Sequence, residues 1–344
     1  MLNSLKKNIV ANFIGRFWGV ISNFLFVPLY INFLGLESYS IISFTLVIHG
    51  IITIMDAGLT STLSREFAAS NNSLSEKYNI FKTLESSYLI ISIFAILIIA
   101  LSSNFIANKW LNFIELSPNQ VSYYIRIFSI EIGFRFLVQF YTGGFIGLEK
   151  QVRSNIYQIV WGVTRNGLVL IPLFFRPTLE VFFLWQTTVT IIYVFIIRFD
   201  LISFFSVKSI SSYFTIPKIE KRILLRVWRF AGGMMLISIV AAINTQMDKI
   251  ALSKLLSIEF LGLYTIAFSL CTGLNLLCRP FSMASLPRMT AYITGDKQYE
   301  AQQLFNKINI IIAIIIFSFM GSMIIFAKEL IWIWTNDISL AEQS

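Results

Sequence analysis

The sequence predicts an all-α integral membrane protein, and three observations carry that prediction. Of its 344 residues, 56% are hydrophobic and only 13% are charged, against about 25% charged in a soluble domain. Mean hydropathy is +0.73. Charge-free apolar runs recur at 17–36, 38–55, 86–108, 181–197, 230–247, 260–278 and 308–327. Each is close to the ~20 residues a helix needs to cross the hydrocarbon core. An ordinary soluble enzyme and a disordered basic tail are excluded. A β-barrel would show alternating strands of about ten residues instead of long continuous runs. Helices satisfy their own backbone groups, as lipid demands.

Each element follows in order. The first run has a basic start at Lys6 and Lys7 but is too long for a signal peptide and lacks a small-residue cleavage site. It reads as a retained span. Two further spans carry charges: 121–147 with Arg126, Glu131 and Arg135, and 155–175 with Arg165. Nine spans are expected in all. Cys271 and Cys278 share one apolar run, which excludes a secreted disulfide scaffold and reads as small-residue packing.

Orientation follows from Lys and Arg. With the N-terminus in the cytoplasm, 18 of the 27 basic residues fall on inside segments and 5 outside. That bias accounts for most of the +9 net charge without a nucleic-acid partner. The longer inside segments are 56–85, 198–229 and 279–307. Within the second, 217–229 is amphipathic, with Pro217 suited to a helix start and Lys and Arg suited to anionic headgroups. The alternative is a plain positive-inside loop. Three parts are therefore expected: a six-helix lobe at 1–205, a connector at 206–229 and a partial second lobe at 230–344.

A weak internal repeat supports two lobes. Leu34-Gly35-Leu36-Glu37-Ser38-Tyr39 is echoed by Leu256 to Tyr264 when Glu37 is set on Glu259, an offset of 222. At that offset Ser64-Arg65-Glu66 falls on Leu286-Pro287-Arg288. Equal topology in both halves implies a repeat about an axis along the membrane normal. The second half then holds three spans before Trp332 and Trp334, and a C-terminal truncation of about three helices is expected.

Several segments are similar to bacterial polysaccharide (O-antigen, Wzx-like) flippases. They are Gly15-Arg16, the Pro28 to Tyr39 exit, Asp56-Ala57-Gly58-Leu59 through Ser64-Arg65-Glu66, Asp248-Lys249 through Lys254, Gly262-Leu263-Tyr264, and Pro287-Arg288-Met289-Thr290. The chain departs from the pattern at Ser40, where glycine is more usual. The resemblance implies a MATE-like bundle of two six-helix lobes around a central cavity, in the exporter superfamily that includes multidrug exporters. It implies alternating access, with undecaprenyl-diphosphate-linked oligosaccharide moved to the outer leaflet for O-antigen (lipopolysaccharide) or other surface polysaccharide biosynthesis. It further implies a bacterial cytoplasmic membrane setting, membrane lipids around the chain, and a polysaccharide polymerase with chain-length machinery as partners.

Candidate residues follow from the cost of moving a diphosphate through hydrocarbon. Arginine in a span is expensive and pairs with phosphate in a fork geometry. Substrate-binding candidates are Arg16, on the helix that the resemblance places along the cavity, Arg165, Arg135 and Glu131. The alternative for Arg16 is snorkelling, and for Arg165 a paired structural charge. Glu131 and Arg135 are four apart on one helix face, so a self-neutralising pair is the competing expectation. Arg126 points the opposite way and reads as snorkelling. Asp56, Arg65 and Asp248 belong to the family-like patches and are candidates for coupling or gating; helix-end packing is the alternative for Asp56 and Asp248, which close spans two and seven. His49 reads as a proton relay or as a bond to a neighbouring helix. Pro28, Pro172 and Pro280 are expected to bend helices that rock.

Two other functions compete. A cation-coupled multidrug exporter would be expected to carry an acid in span one, where Arg16 stands. A membrane polymerase or glycosyltransferase would want a large outer loop or paired carboxylates, and neither occurs. One histidine gives no metal cluster, so no metal, cofactor or catalytic residue is expected.

Overall fold

The computed structural model describes residues 22, 25–56, 58–68, 73–205, 220–271 and 297–343. Among them every regular element is helical and none is a strand. Arg16, Cys278, Pro280, Arg288 and the connector up to residue 219 lie outside the described residues. In chain order the helices are α1 (Leu25–Leu34), α2 (Leu36–Ile52), α3 (Leu59–Ala68), α4 (Leu74–Phe105), α5 (Pro118–Gly147), α6 (Gln151–Gly162), α7 (Leu170–Phe175), α8 (Leu179–Ser203) and α9 (Lys221–Leu255). There follow α10 (Ile258–Cys271), α11 (Gln298–Ile325), α12 (Ala327–Thr335) and α13 (Ile338–Gln343). Among the described residues, six helices are long and apolar enough to cross a membrane. Helix α5 is as long as they are, and its charges set it apart.

The long helices start where side chains satisfy the first free N–H groups. Ser73 and Glu76 form a capping box ahead of α4, and Ser117 and Gln120 form one ahead of α5, with Pro118 in the first turn. Thr178 caps α8. Helix α4 begins twelve residues before its charge-free run, so much of the expected inside segment is helical extension of that span.

Span five is not one regular helix. Helix α6 widens into a π turn at Val163–Gly167 and restarts as α7. The Leu168 N–H donates to Val163 O at 3.0 Å, five residues back. Pro172 has no N–H for Leu168 O, and Ile171 N–H serves that carbonyl instead at 3.1 Å. The proline-linked break expected here is therefore present.

Two compact units divide the chain: 1–22 with 30–262, and 23–29 with 263–344. In the first, α5 is central and packs on α3, α4 and α8. Its core is aromatic: Tyr88 stacks on Phe136 at 4.4 Å and meets Phe140 at 4.5 Å, while Phe81 stacks on Phe140 and Phe205. Helix α9 runs unbroken from Lys221, so the amphipathic stretch from 221 onward is the start of span seven and not a separate interfacial helix. Asp248 sits within α9, seven residues before its end, and not at the end of the span. In the second unit, α11 leads through a break at Phe326 into α12 and α13, and Asp337 caps α13 through Ser339 and Leu340. Ile310, Ile314, Phe317 and Ile324 of α11 are exposed, as suits a helix facing lipid. Cys271 is a free, exposed thiol and not a packing residue.

The repeat is visible in element starts. Helix α10 begins 222 residues after α2 (258 against 36), and α11 begins 224 after α4 (298 against 74), within two of that offset. Ser40 and Gly262, equivalent under that offset, touch: the Ser40 hydroxyl occupies the space that a Cβ on Gly262 would need. The departure at Ser40 is thus accommodated by a glycine at its own repeat partner.

Candidate functional site

Four helices bring polar side chains to the middle of the first unit. Arg165, placed on the π turn, holds Glu131 of α5 at 3.1 Å, Nη2 to Oε1. Glu131 is buried and Arg165 largely so, with side-chain exposures of 1% and 13%. The Thr190 hydroxyl of α8 donates to the same Oε1 at 3.5 Å. The π turn is fixed from outside: Trp185 Nε1 donates to Thr164 O, Gln186 Nε2 to Arg165 O, and the Tyr30 hydroxyl to Asn166 O at 2.6 Å. Those carbonyls lose regular helical partners in the widened turn, and neighbouring side chains replace them.

Glu131 and Arg135 do not pair with each other as their spacing suggested. The carboxylate reaches across to α6–α7, and Arg135 makes no ion pair among the described residues. A helix-surface pair four apart stabilises by only about 0.2–0.5 kcal/mol. A partner on a packed neighbour, in a drier setting, outweighs it. Arg135 instead lies over the Trp161 ring, 5.6 Å from its centre, and Arg165 lies 5.3 Å from the same centre. Tyr193 stacks on Trp161 at 5.8 Å.

The cluster is incompletely satisfied. Glu131 Oε2, Arg135 Nη1, Arg165 Nε, Trp161 Nε1, Gln186 Oε1 and Tyr193 OH are buried without a hydrogen-bond partner among the described residues. Buried polar atoms normally find partners, and each one left without costs about 1–3 kcal/mol. Six together, three of them on two guanidiniums and one carboxylate, make a positive polar centre able to accept an anion with further hydrogen-bonding groups. The sequence pointed to Arg165, Arg135 and Glu131 here. Trp161, Gln186 and Tyr193 were missed, because uncharged residues in apolar runs carry no signal until the helices pack.

The remaining candidates serve elsewhere. Asp56 is buried, and its Oδ1 accepts from Thr60 N–H at 3.2 Å, from the Thr60 hydroxyl at 2.6 Å and from the Tyr88 hydroxyl. It fastens the start of α3 to α4. Arg65 is half exposed and holds Glu66 at 2.8 Å. Asp248 is exposed and accepts from Lys249 N–H. Arg126 binds Ser103 and Asn104 of α4 and stands away from Arg135, as its spacing indicated.

Two structural centres were not anticipated. Arg198, at the start of the inside segment 198–229, lies in α8 and forks onto Glu85 at 2.7 and 3.3 Å. The Tyr141 hydroxyl donates to the same carboxylate at 2.8 Å. At the expected outer end, Glu37 is buried, and its carboxylate accepts the N–H groups of Ile114, Glu115 and Leu116 at 2.9, 2.7 and 3.4 Å. Glu259, its repeat equivalent ahead of the apolar run, has its pKa raised from the ordinary value by burial and by the charges of Glu37 and Glu115. Among the described residues no group of three or more His, Cys, Asp or Glu is placed to hold a metal ion.

Residues 5–293 match the family model described as polysaccharide biosynthesis protein. The chain belongs to that family. The polysaccharide biosynthesis family covers the Wzx-like flippases, whose members are generally transporters and not enzymes. No curated protein and no solved structure matches the chain. The family match spans α1 to α10, so the positive centre and the Glu37 and Asp56 fastenings all lie inside it. In this family member the two family-like acids, Glu37 and Asp56, are occupied by hydrogen bonds that organise the lobe.

Proposed function

We propose that this chain translocates undecaprenyl-diphosphate-linked oligosaccharide across the bacterial cytoplasmic membrane by alternating access. O-antigen or another surface polysaccharide is the end product on this reading, and a polymerase with its chain-length machinery takes the cargo next. The observation that carries the proposal is the Arg135–Trp161–Arg165 arrangement inside a membrane helix bundle. Intramembrane arginines are costly and mark substrate paths. Two of them on one indole, with only one carboxylate between them, suit an anionic headgroup better than a cationic drug. The unpartnered Trp161, Gln186 and Tyr193 atoms suit the hydroxyls of a sugar next to the diphosphate. The multidrug alternative is expected to carry an acid in span one, where Arg16 stands, and Asp56, at the end of span two, has its Oδ1 engaged by Thr60 and Tyr88.

The test is complementation of a flippase-deficient strain, read as surface polysaccharide. Arg165→Lys keeps the charge but not the fork. It is expected to reduce surface polysaccharide by about tenfold or more, the effect of losing about 1.5 kcal/mol of charge-assisted bonding. Arg135→Gln is expected to do the same. Unchanged polysaccharide in both, at equal expression, overturns the reading.

A further inference from the structure

Glu131 has no place in a plain anion site. A carboxylate repels phosphate, and a chain that only needed to bind a diphosphate would leave both arginines to it. Yet Glu131 is fully buried on α5 and holds Arg165 from a neighbouring helix. As a purely structural ion pair it is poorly built. Among the described residues its second oxygen, Oε2, has no partner, and neither does Nε of Arg165. Buried pairs that serve stability have their remaining atoms satisfied, since desolvation otherwise exceeds the attraction. Arg135, four residues on, stands over the other side of the charge balance with Nη1 unpartnered as well.

Resting on the function proposed above, we infer that Glu131 is a displaceable internal counter-ion. It neutralises Arg165 between transport events. The diphosphate takes Arg165 from it and bridges to Arg135, and Glu131 retakes Arg165 when the cargo leaves. The exchange involves no covalent step. Its purpose is balance: two buried guanidiniums without a competitor would hold a diphosphate too tightly to release it, and transport needs binding that can be reversed. Glu131 is a positioning residue in this scheme. It acts on the cargo through Arg165 and does not touch it.

The test measures affinity and turnover separately. The full chain, purified in detergent, is titrated calorimetrically with undecaprenyl diphosphate, with undecaprenol as the uncharged comparison. Turnover is followed by flipping assays in vesicles. Glu131→Gln removes the competitor while keeping size and hydrogen bonding. It is expected to bind the diphosphate at least about tenfold more tightly than wild type, in line with the coupling measured for close charge pairs. It is also expected to flip more slowly, because release is no longer assisted. Undecaprenol binding is expected to be unchanged. A merely structural Glu131 predicts the opposite: lost stability with unchanged or weaker binding. Glu131→Asp shortens the reach without removing the charge and covers the case in which the Gln variant does not fold. It is expected to fall between wild type and the neutral form in affinity. Two failures are distinguishable. If Arg135→Gln and Arg165→Gln bind the diphosphate as wild type does, the site reading fails and takes this inference with it. If those two bind weakly while neither Glu131 variant binds more tightly, only the counter-ion role is overturned.

Discussion

At the residue scale, the buried acids divide by what their carboxylates accept. Glu37 receives three backbone N–H groups, Asp56 receives two hydroxyls and one N–H, and Glu85 receives a guanidinium and a phenol. Among these four, only Glu131 keeps a fully buried oxygen without a partner among the described residues. That contrast separates fastening from function better than depth in the membrane does. It also yields a prediction. Glu37→Gln offers one acceptor oxygen where three N–H groups converge and gives up the charge that strengthens each bond. It is expected to lower stability by about 1–3 kcal/mol. Hydrogen exchange at Ile114, Glu115 and Leu116 should rise selectively. Unchanged protection at those three amides would show that the loop holds without its carboxylate.

At the element scale, the position of Arg165 depends on an irregular helix. A regular helix would give its 164–166 carbonyls to its own N–H groups. The π turn instead gives them to Trp185, Gln186 and Tyr30, and so ties the Arg165 backbone to α8 and α1. Close helix approach does the same for α3. Gly147 of α5 faces the Ser64 backbone, and a Cβ there would stand 2.6 Å from Ser64 O and 2.7 Å from its Cα. Backbone atoms cannot swing aside as a side chain can. Gly147→Ala is therefore expected to force α3 outward, at a cost of about 1–3 kcal/mol by overpacking. The melting temperature of the purified protein would register it. A variant as stable as wild type would mean that α3 is free to shift, and the Asp56 fastening would then be weaker than its geometry implies.

At the scale of the whole molecule, the charge pattern and the 222-residue repeat make one prediction about topology. The outer loop that binds Glu37 and the α4 capping turn should lie on opposite sides of the membrane. With Cys271 and Cys278 replaced by serine, a single cysteine at Asn112 should react with an impermeant maleimide on intact cells. One at Ser75 should react only after permeabilisation. The reverse pattern would invert the orientation while leaving the helix bundle as described.

Much of this was legible before any packing was known. Long charge-free runs leave a helix in lipid as the one sensible structure, because no other arrangement satisfies its backbone there. The sequence therefore determined the all-α membrane class, the placing of Arg135, Arg165 and Glu131 within spans, and the offset of the repeat. Periodicity along one helix also put Arg126 and Arg135 on different faces, because that relation is internal to α5. The partners were decided by tertiary structure alone. Glu131 binds Arg165 rather than Arg135, Arg198 binds Glu85 rather than lipid headgroups, and Trp161 joins two arginines that are 30 residues apart in the chain. These are contacts between helices, set by crossing angles and register. A charge in lipid has to find a partner, and the sequence shows that need without showing which neighbour meets it.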